Sequence, residues 1–236
     1  MHNRAALLLV LTISLASAVD AQDFTIARWN HQLTQSTKLL TSGKHAAALK
    51  IAERVIREMI GQLGSGEAAT RAFGIVVSHK ALALAGLGRE EDALWYWHSV
   101  LTLYPALAQS DLSTFGEAGA FLAAHREPRP PADMPEGLQE KPPDVNVQVP
   151  KLLRRVNPEY PAGALSLGAS GTLIVEVMIT KDGKVTAPRV VEPLPAPTMS
   201  YTALEALRRW RFEPGRLNGE PVDVILDLTV SFKSSR

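Results

Sequence analysis

Apolar positions recur at helical spacing through residues 23–125 and at strand spacing after residue 170. The first stretch is rich in Ala, Leu and Glu and is read as helical. Two of its segments look alike. In each, glycine is followed five residues later by alanine, as at Gly43 and Ala48 and at Gly88 and Ala93. Apolar residues then follow at Ala52 and Val55 in one and at Trp97 and Val100 in the other. A third helix is predicted over about 111–124, with Asp111 or Ser110 as its N-cap. Trp95, Tyr96 and Trp97 are consecutive, and one face of a helix cannot bury all three. Either one of them is an exposed contact residue or the helix is buried on two sides.

This pairing of a glycine turn with small packing residues is similar to the tetratricopeptide repeat. Ala81, Gly88, Ala93, Trp97, Val100 and Pro105 fall where that pattern expects them. The two copies are spaced more widely than the usual ~34 residues, so an ordinary antiparallel bundle stays open. Both readings give a helical surface suited to a protein or peptide partner rather than to chemistry.

The flanking segments have a different character. Arg4, an apolar run over 5–15 and small residues up to Ala18 or Ala21 read as a secretory signal. The alternative is a retained anchor, but the run of about fifteen residues is short of the ~20 that span a bilayer. Residues 127–150 hold Pro128, Pro130, Pro131, Pro135, Pro142, Pro143 and Pro150. Proline at that density cannot continue a helix or a central strand. The stretch is read as an extended linker, reaching on the order of 70 Å at ~3.1 Å per residue.

Beyond it, Pro158 and Pro161 bracket Tyr160 and open a short helix over 162–167, ended by Gly168. Gly171 begins a strand in which Leu173, Val175, Val177 and Ile179 alternate with more polar positions. Asp182-Gly183 signals a hairpin with a tight primed turn, and a return strand follows over 184–191. Thr198 or Ser200 is placed to cap a helix running to about Arg209, with Ala203, Leu204, Leu207 and Trp210 facing the sheet. After a second turn at Asn218-Gly219, residues 222–232 give the clearest amphipathic strand in the chain. Trp210, Phe212 and Tyr160 read as packing residues.

The order helix, strand, strand, helix, strand resembles the TonB C-terminal domain family. The resemblance rests on Tyr160-Pro161, Gly168, Gly171, Asp182-Gly183 and the block from Arg208 through Trp210, Phe212 and Pro214 to Gly215. It covers about the last third of the chain. It implies two helices packed on a three-stranded antiparallel sheet. It also implies a role: in this family the last strand takes up an extended segment of an outer-membrane transporter. Carried over, Val222, Val224, Leu226, Leu228, Val230 and Phe232 form the pairing strand, and Arg155 and Asn157 fall at polar contact positions. The structural motif is then Tyr160, Pro161, Gly171, Gly183, Trp210, Phe212 and Pro214. One departure stands out. The family's energised members carry a membrane anchor with Ser and His on one helical face, and His2 precedes the apolar run here.

Composition then narrows the function classes. A formal net charge of +1 gives no general attraction to nucleic acid, and the basic cluster Arg208, Arg209, Arg211 and Arg216 has no interleaved exposed aromatics. The chain has no cysteine, which excludes disulfides and thiol chemistry. No metalloprotease, nucleophile-elbow or phosphate-loop motif occurs, and His45, His79 and His98 read as surface or packing residues. The expected molecule is an α+β protein. It has a signal peptide over 1–21, a helical repeat-like domain over 22–126, a linker over 127–150 and a TonB-like domain over 151–236. The expected function is a periplasmic interaction component of TonB-dependent transport. Its partner is an outer-membrane receptor or another envelope protein, and the helical domain has room for a second. No enzymatic activity, cofactor, metal, nucleic acid or small-molecule substrate is expected. The alternative is an envelope scaffold or adaptor without an energy-transducing role.

Overall fold

Two glycines set the turns of the helical part. Helices α1 (Ala21–Thr41) and α2 (His45–Gln62) form one antiparallel hairpin, and α3 (Glu67–Gly86) and α4 (Glu90–Leu103) form the next. Gly43 and Gly88 sit between the partners at φ +73° and +71°, where a side chain would be strained. The hydrogen bonds match as well. Lys44 N–H donates to Leu39 O at 2.8 Å, and Arg89 N–H donates to Leu84 O at 3.0 Å. Small residues bring the helices close: Ala48, Ala52, Ala81 and Ala93 have no exposed surface. The computed structural model describes residues 21–64, 66–127 and 146–233. The expected leader and most of the proline-rich stretch lie outside them.

Two short 3₁₀ turns, Pro105–Gln109 and Ser113–Phe115, lead from α4 to α5 (Gly116–Ala124). The expected cap at Asp111 belongs to the second of these turns rather than to α5: its Oδ1 accepts from Ser113 N–H at 2.9 Å. Trp95, Tyr96 and Trp97 of α4 are all buried, at 4%, 3% and 0% exposure. An exposed contact residue is thereby excluded. The helix is enclosed because α3, α5 and the following sheet each cover one side.

The C-terminal part opens with β1 (Val147–Gln148) and β2 (Lys151–Arg154), then α6 (Ala162–Ser166). Strands β3 (Gly171–Ile179) and β4 (Val185–Glu192) form a hairpin, followed by α7 (Pro197–Leu207). Short strands β5 (Arg211–Glu213), β6 (Gly215–Leu217) and β7 (Glu220–Val222) precede β8 (Val224–Phe232). The main sheet is antiparallel in the order β4-β3-β8. Its side chains Leu173, Val175, Val177 and Ile179 enter a core shared with Met199, Leu204 and Leu207 of α7. The architecture is α+β, with a helical N-terminal part.

Two local expectations change. The β3–β4 turn is not primed. Gly183 N–H closes on Thr180 O at 2.7 Å, and Gly183 alone in the turn has positive φ, so this is the longer, bulged form. Asn218 and Gly219, at φ +52° and +91°, do make the primed turn, between β6 and β7. Neither Thr198 nor Ser200 caps α7. Pro197 takes the first helical position, and Ser200 Oγ accepts from Leu194 N–H at 3.1 Å instead.

Helical and sheet parts share one continuous core. Helix α7 lies between the sheet and the helices, which leaves it buried nearly all round. Tyr201 packs edge-on against Phe73 and alongside Tyr96, and its hydroxyl accepts from Lys80 Nζ at 3.0 Å. Burial pushes the Lys80 ammonium below its ordinary pKa, opposed by Glu205 and Glu53. Arg208, at the end of α7, pairs with Asp92 of α4 and donates to Tyr96 Oη at 3.2 Å.

Candidate binding edge

Each sheet edge meets a different environment. On the β4 side, Val190 N–H donates to Thr102 Oγ1 of α4 at 3.2 Å, so a helix side chain satisfies an edge donor. On the β8 side, no strand pairs with the outer edge among the described residues. Such an edge presents main-chain donors and acceptors to any extended segment.

The ladder shows which residues carry those groups. Thr180 N–H, just past β3, donates to Lys184 O, and Thr186 Oγ1 donates to Met178 O at 3.3 Å. Peptide groups alternate sides along a strand, so even positions of β3 bond toward β4 and odd positions toward β8. Register between β3 and β8 is unbroken from Gly171↔Phe232 to Ile179↔Val224. Val224, Leu226, Leu228, Val230 and Phe232 therefore bond to β3. Ile225, Asp227, Thr229 and Ser231 turn their N–H and C=O groups outward. Asp227, Thr229 and Ser231 are also exposed by side chain. The alternation of β8 was evident from its sequence. Which half of it faces outward required the hairpin geometry of β3.

The expected site residues are placed as follows. Val222 ends β7, and β8 begins at Val224 after Asp223, whose Oδ1 accepts from Lys181 N–H at 2.7 Å. Val224 and Leu226 are half-buried, while Leu228, Val230 and Phe232 point into the core. They hold the β8 backbone against β3. Arg155 and Asn157 are exposed. The Arg155 guanidinium stacks 5.3 Å from the Trp210 ring. Tyr160, whose hydroxyl donates to Ala169 O, packs edge-on against Phe232 at 5.1 Å, which brings this segment to the end of β8.

The structural motif has physical reasons. Trp210 is buried and its Nε1–H donates to Val156 O at 2.8 Å; Phe212 lies beside it. A side chain at Gly183 would strike Phe212 O, and one at Gly171 would crowd Leu194. Pro161 is buried before α6, and Pro214 joins β5 to β6. On the outer face of the sheet, Arg189 bridges to Glu176 with bonds of 2.8 and 2.6 Å. The hydrogen bond from Arg189 holds the Glu176 carboxyl below its usual pKa. Among the described residues there is no cluster of metal-ligating side chains, and no helix is long and apolar enough to cross a membrane.

Residues 156–234 match the family described as Gram-negative bacterial TonB protein C-terminal. Protein TonB of Yersinia enterocolitica is 41% identical over 64 residues, 27% of this chain and 25% of that protein. Protein TonB of Escherichia coli K12 is 37% identical over 67 residues, 28% of each chain. That of Vibrio cholerae is 27% identical over 110 residues, 46% of this chain and 44% of that protein. The chain thus spans between a quarter and a half of the length of these relatives. What the comparisons identify is the part of the molecule that carries the open edge: residues 156–234 are similar to the C-terminal domain of Gram-negative TonB proteins.

Proposed function

We propose that this protein is an exported envelope component of TonB-dependent transport. Its β8 edge takes up an extended segment of an outer-membrane receptor by strand addition. The observation that carries this reading is the asymmetry of the sheet: α4 covers the β4 edge, and the β8 edge is open among the described residues. Backbone bonding at Ile225, Asp227, Thr229 and Ser231 supplies affinity, and Arg155 and Asn157 flank the bound strand as polar contacts. The two glycine-turn hairpins act as a tetratricopeptide-like platform for a second protein. The leader over 1–21 directs export to the periplasm, and 127–150 connects the helical domain to the TonB-like domain at 151–236.

The shared core favours a second reading as well. Lys80, Asp92 and Tyr96 hold the TonB-like part firmly to the helices. That arrangement suits an envelope adaptor, which needs no energised anchor. Carbonate washing of membranes separates the two: a retained inner-membrane fraction favours transduction, and release favours the adaptor.

The edge itself is tested with Thr229→Pro and Thr229→Ser. Proline removes a donor that faces outward and leaves the β3 ladder its own bonds. A synthetic peptide of the receptor's N-terminal segment should bind the parent and the Ser variant. Binding to the Pro variant should fall at least about tenfold, with circular dichroism confirming the fold. Equal binding by a folded Pro variant would remove β8 as the pairing edge.

A further inference from the structure

A cavity of about 430 Å³ lies between α4, the end of α5 and the β3–β4 hairpin. Its size falls within the ~300–1,000 Å³ of small-ligand sites. It is on the opposite side of the sheet from β8, so it stands apart from the strand-addition reading. Leu94, Trp95, Met178 and Val185 give it an apolar wall.

Charge is arranged unequally around that wall. Lys184 and Arg211 lie on the hairpin side, and Glu91 and Glu127 lie on the helix side. Arg208 also lines the cavity, but it is held by Asp92, which Arg89 shares. Arg211 spends one nitrogen on the carbonyl oxygens of Arg208 and Trp210. Lys184 is exposed and makes no ion pair among the described residues. The hairpin side is therefore a cationic corner beside an apolar wall.

Main-chain geometry adds to it. Val185 pairs with Ile179, which bonds toward β8, so its N–H turns away from β3 and into the antiparallel bridge of Lys184 with Arg211, where Phe212 N–H donates to Gly183 O at 2.9 Å. The bridge sets Lys184 and Arg211 side by side at the cavity. A bulge follows, with Ala187 at φ +47° immediately before Pro188, a strained conformation for a non-glycine residue. The wall also contains two buried polar atoms without partners among the described residues, Trp95 Nε1 and His98 Nδ1. The indole N–H is donor only. His98 Nε2 donates to His125 O at 3.1 Å in the neutral ring, which leaves Nδ1 as an acceptor.

We propose that this cavity binds an apolar carboxylate. The acid lies at Lys184 and Arg211, and the hydrocarbon lies against Leu94, Trp95 and Met178. Such an acid is either the C-terminus of a peptide ending in an apolar residue or a free aliphatic acid. A carboxylate accepts from both cations at once, whereas a neutral amide forfeits the charge-assisted bonds.

The full chain is titrated calorimetrically with N-acetyl-leucine and with hexanoate, and in parallel with N-acetyl-leucinamide and hexanamide. Nuclear magnetic resonance follows the Trp95 indole N–H. Saturable binding of at least one acid is expected, about tenfold or more tighter than its amide, with a shift of the Trp95 signal. The acid that binds better identifies the source. Lys184→Glu, an exposed change, should weaken the acid about tenfold or more and leave the amide unchanged. Leu94→Trp should fill the cavity and abolish binding. No saturable binding, equal affinity for acid and amide, or an unaffected folded Lys184→Glu variant would each overturn the proposal.

Discussion

His79 is fully buried in α3, with Nδ1 3.1 Å from Ser36 Oγ of α1. Desolvation lowers its pKa from 6.5 to about 4, because a charged ring there would have lost its water. A lowered histidine pKa gives stability that is complete above the unfolded value and is lost as pH falls. The window runs from about 6.5 down to about 4, and the loss amounts to about 3 kcal/mol. Urea unfolding at pH 7 and pH 4 checks this. His79→Gln should lose less stability across that interval than the parent, and equal losses would contradict the assignment. Trp210→Ala should cost ~3–5 kcal/mol in the same assay, from its burial and its bond to Val156 O. Gly183→Ala should cost about 2 kcal/mol or more, since the turn needs φ +74° and the added carbon meets Phe212 O. The burial of Trp210 was expected from helical spacing, although α7 ends at Leu207 and Trp210 follows it. The closeness of Gly183 to Phe212 was not, because it joins a turn to a strand that lies far along the chain.

Elements were legible in proportion to their length and period. Helices of 14 to 21 residues carry enough turns for a pattern to show, and β8 alternates cleanly from Leu226 to Phe232. Strands β1, β2, β5, β6 and β7, of two to four residues, carry no usable period, and their pairing is decided by tertiary contact. The aromatic run in α4 left two readings open for a related reason. A rule about one helix face assumes a free second face, and here three neighbours cover the helix. The cover over β4 was also hidden, since Thr102 looks like any helix-surface residue. Its role is testable. Thr102→Val keeps the shape and removes the acceptor, so Val190 N–H should exchange with deuterium about fivefold faster or more. Unchanged exchange would mean that some other group protects the edge.

Over the whole molecule, the division into a helical and a sheet part is visible in the sequence, but their joint core is not. It depends on contacts such as Lys80 with Tyr201, separated by 121 positions. A chain restricted to residues 146–236 would expose the side of α7 that Tyr201 and Thr202 now bury. It should melt several degrees below the intact protein, and calorimetry of the intact protein should give a single transition. Equal melting temperatures would show that the helices add nothing to the sheet part. The covered β4 edge has one more consequence, for how copies of this chain can assemble. A sheet with two free edges can add neighbours on both sides and grow without limit. With β4 sealed by α4, each molecule has one valence. Two copies joined through β8 would use both valences and stop as a symmetric pair. Concentrated protein should therefore self-limit at a dimer instead of forming filaments, and an extended guest segment and a second copy should compete for the same place.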